Sequence, residues 1–275
     1  MTSPGSISAD LDVAAVLTDG RRRRVRRGLA LAGVGAITLW AFTYVGALEL
    51  ERYRDALRTL ATLAGDAMPA DFGRWASWGR PLAQTVATSI AGTVLAAMLA
   101  LPLGLLAAAN VGSRAAAIAA RMLLNALRAI PDLIWGVAFV AAVGFGPLPG
   151  VLALAVHSTG MLGKFYAEII EHVDPAPGDA LRSHGVSRLG VLRFGVLPQV
   201  LPRLADVTLY RWEHNVRAAT VLGAIGAGGF GLEIITAFHL FEYREASALI
   251  AVMLLLVTVI NLISDRVRRG FLDNG

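Results

Sequence analysis

Apolar residues are gathered into six long runs, near 28–48, 82–109, 117–144, 148–170, 197–224 and 245–265, separated by short polar stretches. Each run is close to the length of a bilayer-crossing helix, roughly 20 residues at 1.5 Å rise. The fourth, containing VLALAVHSTGMLGKFYAEII, and the sixth, ASALIAVMLLLVTVINLIS, are the clearest. Pro131 splits the third; it lacks an amide donor and predicts a kink there. Residues 1–20 are polar and mixed, which predicts a flexible tail.

RRRRVRR at 21–27 precedes the first run. That run exceeds the apolar core of a signal peptide and no small-residue cleavage site follows it, so an uncleaved span is expected. Arginines also gather at Arg114, in 171–196 and after 265, whereas 49–81 sets five arginines against five acids. Positive charge favours the cytoplasmic side, so the N-terminus is expected inside and six crossings return the C-terminus there. The predicted organisation is a cytoplasmic tail 1–27, a first transmembrane helix 28–48, an external segment 49–81, a core of five transmembrane helices 82–265 and a cytoplasmic tail 266–275.

Composition supports an all-α integral membrane protein: 56% of residues are hydrophobic and 16% charged, against about 25% charged in soluble domains. The net charge of +5 comes mostly from arginines flanking apolar runs, so it implies no nucleic acid. The chain has no cysteine, which excludes disulfides, thiolate metal sites and cysteine nucleophiles. It has no nucleotide-binding P-loop and no zinc-protease or serine-hydrolase signature, and no metal site is expected. GAGGFG at 226–231 fits G-x-G-x-x-G, but it follows a membrane helix rather than a strand, so a glycine-rich turn is preferred. No long internal repeat is visible, which weakens a transporter built from inverted halves.

Ionisable residues inside membrane runs are costly and each raises a functional question. In the fifth run, Glu213 and Arg217 are spaced to pair at i,i+4, while Arg211 has no acid at that spacing. Thr208, Arg211 and Asn215 share one helical stripe; Asp206, Glu213, Arg217 and Thr220 share another. Arg211 must therefore snorkel, pair with another helix or face water, where its planar fork suits an oxyanion. Lys164 and Glu168 are a second i,i+4 pair. Arg128 and Asp132, a third, flank Pro131 and are expected to steady the kink or an inner gate. His157, beside Ser158 and Thr159, is either a path-lining group or a satisfied core histidine.

The polar insert 171–196 is the longest predicted inward link. Turn formers at 174–178 lead into DALRSH, a short helix expected to start near a capping Asp179 and to end at Gly185. A second short helix, SRLGVLRF, leads to Pro198 at the mouth of the fifth span. On physics alone the insert is either an ordinary basic loop or a docking element. Its spacing resembles the coupling motif of ABC importer permeases: an EAA triplet, G after three residues, then nine residues, then I-x-L-P. Here the triplet is Asp179-Ala180-Leu181, the glycine is Gly185, and the ending is Gly195-Val196-Leu197-Pro198. Asp replaces Glu, Leu replaces the second Ala, and Gly stands where Ile is usual.

The resemblance extends over most of 80–265. LYRWEHNVRAATVLGAIGAGGFG, with NALRAIPDLIWGVAFVAAVGFGPLPGVLAL and HSTGMLGKFYAEIIE, is similar to the phosphonate-type branch of those permeases. It implies the type I ABC importer fold: six transmembrane helices per chain and a short cytoplasmic coupling helix. It further implies two copies forming the pore in the bacterial cytoplasmic (inner) membrane. A separate ABC ATPase dimer would carry the ATP and Mg and dock on Asp179, Ala180, Leu181, Gly185, Leu197 and Pro198, and a substrate-binding protein would dock outside. The chain itself is then not an enzyme and holds no cofactor. Phosphonate, phosphite or phosphate is the implied cargo, with methionine or a sulfonate as the alternative.

Overall fold

The computed structural model describes residues 13–111 and 113–272, all helix, turn or coil with no strand among them. The predicted tail over 1–12 and the last three residues lie outside the described residues. The chain divides into two units, 1–63 and 64–275.

In the first unit, α1 (Val13–Tyr44) starts well before the apolar run, so the basic cluster lies on the helix rather than in a tail. Its window Arg22–Tyr44 has the length and apolarity of a crossing and is not buried by protein. After a turn comes α2 (Leu50–Asp66), a helix within the expected external segment 49–81.

The second unit is a helical bundle. It comprises α3 (Gly79–Ala107), α4 (Arg114–Ala129), α5 (Asp132–Val143), α6 (Pro147–Glu171), the loop helices α7 (Pro175–Ser183) and α8 (Arg188–Val191), α9 (Leu197–Leu222), α10 (Phe230–His239) and α11 (Tyr243–Leu272). The helices centred on α3 and α11 each meet the criteria of a crossing, and the broken pairs α4–α5 and α9–α10 do when each counts as one. With α1 these make up to five. The 25-residue α6 is also long enough, and the polar His157-Ser158-Thr159 patch dilutes its apolarity. Six crossings are compatible with this arrangement.

Two departures have physical causes. The third run is two helices meeting at 83°. Pro131 supplies no amide, Ile130 is extended (ψ 122°) and the backbone restarts at Asp132. Residues 225–244, expected to be a link, contain α10, which leaves α9 at 60°. The break runs through a π-helical turn at 223–227 in which Gly226 adopts φ +99°.

α6 is the central helix and α3 lies closest to it. A Cβ on Gly92 of α3 would stand 2.7 Å from the Leu154 Cβ of α6, and one on Gly104 would stand 2.8 Å from the Tyr166 Cβ. Small residues let backbones approach where lipid supplies no hydrophobic drive between helices. Ala96, Ala100, Leu162, Tyr166, Val200 and Leu204 fill the α3–α6–α9 seam. Val216, Phe230, Leu249 and Met253 join α9, α10 and α11.

Candidate functional site

Two sites emerge, one at each level of α9. The first is the insert before it. α7 is capped by Asp174, whose Oδ1 accepts from the Ala176 amide at 3.0 Å, and not by Asp179 as the sequence suggested. Pro175 and Pro177 explain the earlier start, since proline is at ease in a first helical turn. Asp179 instead pairs with Arg182 at 2.6 Å on the exposed side. Gly185 ends the helix at φ +74°, with its amide on the Arg182 carbonyl at 3.0 Å and that of Val186 on Leu181 at 3.2 Å. That left-handed turn is the one glycine adopts without strain.

Ser187 caps α8, accepting from Gly190 N at 3.3 Å, and a π-helical turn at 192–196 runs into α9 with Pro198 in its first turn. Leu181 and Gly195, both departures from the permease motif, meet here. A Cβ at Gly195 would stand 3.2 Å from Leu181 Cδ1 and 3.2 Å from Gly178 Cα. The larger side chain at 181 thus fills the room left by the absent one at 195, and α7 lies tightly on the turn. Asp179, Ala180 and Gly185 stay exposed, as do Leu189 (74%) and Phe194 (66%). Behind the loop, Asn110, Asp174, Gly178, Arg182 and Arg188 help line a cavity of about 740 Å³.

The second site is the polar middle of α9. Its helical period divides it into three faces. One packs on α6 and α3. Arg211, 6% exposed, donates from Nε to Ser158 Oγ at 2.8 Å. Ser158 donates to Asn215 Oδ1 at 3.0 Å, and Asn215 Nδ2 donates to Thr93 Oγ1 at 2.8 Å. Thr208 meets the Tyr166 hydroxyl at 2.5 Å. The expected Thr208–Arg211–Asn215 stripe is therefore a buried polar seam linking three helices. Arg211 Nη2 is buried in it with no hydrogen-bond partner.

The second face meets α11. Glu213 pairs with Arg268 at 3.2 Å, and Asp206 pairs with the same guanidinium at 2.6 Å. The expected Glu213–Arg217 pair does not form, because α11 runs alongside and offers a nearer cation on the side to which Glu213 points. The third face is open: Tyr210 is 60% and Val221 57% exposed, and His214 and Arg217 between them are exposed too. Arg217 makes no ion pair among the described residues. This i, i+4, i+7, i+11 stripe was not singled out from the sequence. The helical wheel carries it, but nothing in the chain says which of three polar faces lacks a neighbour.

At the kink, Arg128 binds Asn125 Oδ1 at 2.8 and 3.1 Å, and Asp132 Oδ1 accepts from Leu133 N. The expected Arg128–Asp132 pair is absent because the bend destroys the i,i+4 geometry. His157 Nδ1 lies 3.0 Å from the Ile130 carbonyl, and Trp135 Nε1 donates to the Leu127 carbonyl at 3.3 Å. Both serve carbonyls that the broken helix leaves without amide partners. Lys164 and Glu168 do pair, at 3.4 Å. Among the described residues no group of side chains is arranged to hold a metal ion.

Comparison with known proteins gives this geometry a context. Residues 100–272 match the family of binding-protein-dependent transport system inner membrane components. The phosphite transport system permease protein of Stutzerimonas stutzeri is 46% identical, covering 96% of this chain and 100% of that protein. The phosphate-import permease protein of Mycolicibacterium smegmatis is 37% identical over 86% of this chain and 44% of its own length. Among solved structures, inward-facing conformations of the MetNI methionine ABC transporter superpose with a TM-score of 0.62 at 20% identity, over 70% of this chain and 95% of that one; this likeness shows the fold alone.

Proposed function

The chain belongs to the family of binding-protein-dependent transport system inner membrane components and is an ABC transporter permease of the type I importer fold; on that premise we propose that it imports a phosphorus oxyanion (phosphite, a phosphonate or phosphate). The observation that carries this is the open α9 stripe beside Arg211. Tyr210, His214 and Arg217 cannot face acyl chains cheaply, since an arginine inside the membrane costs at least ~2.5 kcal/mol. A second copy facing this stripe across an aqueous path removes that cost. It also gives a tetrahedral oxyanion two arginines at the level where α9 crosses. The similarity to phosphite and phosphate permeases supports the same cargo class.

On this account ATP is bound and hydrolysed in a separate cytoplasmic ATPase dimer, which docks on α7, the Gly185 turn and the start of α9. Asp179, Ala180 and Leu181 ride on the lever, and Leu197 and Pro198 receive its motion at the base of α9. Because α9 continues from the π-turn without a flexible link, rotation of the loop is passed to the Arg211 and Arg217 faces. A substrate-binding protein delivers cargo at the opposite side, near the Gly226–Gly229 turn. Both termini lie in the cytoplasm. His157 braces the α4–α5 bend through the Ile130 carbonyl, Ser158 holds Arg211, and Asn215 holds Ser158.

The deciding experiment is ATP-dependent uptake by the reconstituted complex, offered phosphite, phosphate, methylphosphonate and 2-aminoethylphosphonate, with sulfate and methionine as controls. Uptake of phosphorus oxyanions alone is expected. Uptake of methionine or sulfate instead removes the cargo assignment and leaves the coupling loop standing.

A further inference from the structure

We infer that α2 is an interfacial helix, lying in the headgroup layer of the leaflet at which α1 ends, with its apolar face turned into the membrane. At 100° per residue, Leu50, Tyr53, Ala56, Leu57, Leu60 and Ala61 fall within one arc, completed by Leu63 and Ala64, of about 160°. No charged position of the helix falls in that arc. The face is bare of protein: Leu50 is 79%, Leu57 67% and Leu60 61% exposed. An apolar stripe of this length on a polar helix needs an occupant.

Three observations select lipid. First, α1 ends on an aromatic pair, Trp40 stacked on Tyr44 with centroids 5.4 Å apart, and such rings sit at the membrane–water boundary. Second, only residues 45–49 separate α1 from α2, and they fold into a tight turn, with the Ala47 amide on the Phe42 carbonyl at 2.9 Å and the Glu49 amide on the Gly46 carbonyl at 3.2 Å, so the first turn of α2 stays beside the end of α1. The Tyr53 hydroxyl further ties that turn back, donating to the Ala47 carbonyl at 2.8 Å. Third, the charges are graded. Arg54 lies at the edge of the apolar arc with Arg58 next to it, while Glu51, Asp55 and Asp66 lie farther round. An arginine at that edge lays its stem along the apolar layer and reaches headgroup phosphates, and the acids point to water. An occupant made of protein would explain the bare face but neither the aromatic end of α1 nor the graded edge.

The absence of native cysteine makes the test direct. Single cysteines are introduced as Leu57→Cys and Leu60→Cys on the apolar face, and as Asp55→Cys and Thr62→Cys on the polar face. Each is spin-labelled in the full-length permease, assembled with its ATPase in nanodiscs of phosphatidylethanolamine and phosphatidylglycerol. Labels at 57 and 60 are expected to collide several-fold more with oxygen than with a water-soluble nickel chelate, at a depth of about 5–10 Å. Labels at 55 and 62 show the reverse ratio. Equal nickel access on both faces overturns the inference. So does a label at 57 or 60 that stays in water until the substrate-binding protein is added and is immobilised by it, which makes the stripe a protein-docking surface.

Discussion

Arg211 of α9 holds Ser158 of α6 through Nε at 2.8 Å while its Nη2 stays buried without a partner. The guanidinium is thus fixed at one end and unsatisfied at the other. A buried donor with no acceptor is expensive, and under the proposed function a passing oxyanion would supply one.

Ser158→Ala removes the acceptor of Arg211 and the donor to Asn215 Oδ1 together. The expected loss is about 1–3 kcal/mol of stability, with a rise in the transport KM that exceeds any fall in membrane insertion. Thermal unfolding in detergent and uptake kinetics measure the two. Ser158→Thr, which keeps the hydroxyl, restores KM.

Arg217 lies on the open face and makes no ion pair among the described residues, so Arg217→Ala should leave folding and assembly intact. Uptake should fall at least tenfold, with ATPase binding unchanged, and Arg217→Lys should recover part of it. Undiminished uptake by Arg217→Ala would remove this residue from the path.

Gly185 sits at φ +74°, where a β-branched side chain is strained by about 1–2 kcal/mol. Gly185→Val is expected to insert normally while ATP hydrolysis continues without matching uptake. The ratio of phosphate released from ATP to cargo imported is the quantity to follow. An unchanged ratio contradicts the lever.

Leu181 and Gly195 compensate each other. Gly195→Ile alone must displace Leu181 Cδ1 and the Gly178 backbone, and overpacking of this kind costs about 1–3 kcal/mol. Paired with Leu181→Ala, which matches the common motif at both positions, much of the loss should return. A double-mutant cycle on thermal stability and uptake gives the coupling; additive losses refute it.

Arg268, near the far end of α11, serves three carboxylates: Asp206 and Glu213 of α9 and Asp265 of its own helix. Arg268→Ala leaves Asp206 and Glu213 without their counter-charge and is expected to cost about 1–3 kcal/mol, most of it from the better-buried Glu213, since Asp206 is part-exposed and screened. Adding Asp206→Asn should recover part of that loss, measured as the thermal midpoint of the purified permease.

Much was legible along the chain. Apolar runs near bilayer length mark candidate crossings, because lipid accepts only backbone that satisfies its own hydrogen bonds; among the described residues three helices, or up to five spans when each bent pair counts as one, have the required length and apolarity, and six are compatible with this. Pro131 foretells the break and Gly185 the left-handed turn, since both constraints are local to the residue. Helical period also sorts α9 into stripes, and the Thr208–Arg211–Asn215 stripe proved to be one continuous contact face.

What only the tertiary structure decided is the identity of each partner. Periodicity tells on which side a group lies but not which helix stands there, and that neighbour comes from elsewhere in the sequence. Glu213 therefore found Arg268 instead of Arg217, Asp174 displaced Asp179 as a cap, and an 83° bend parted Arg128 from Asp132. The open stripe on α9 emerged for the same reason: a face without a neighbour is visible only when all the neighbours are in place.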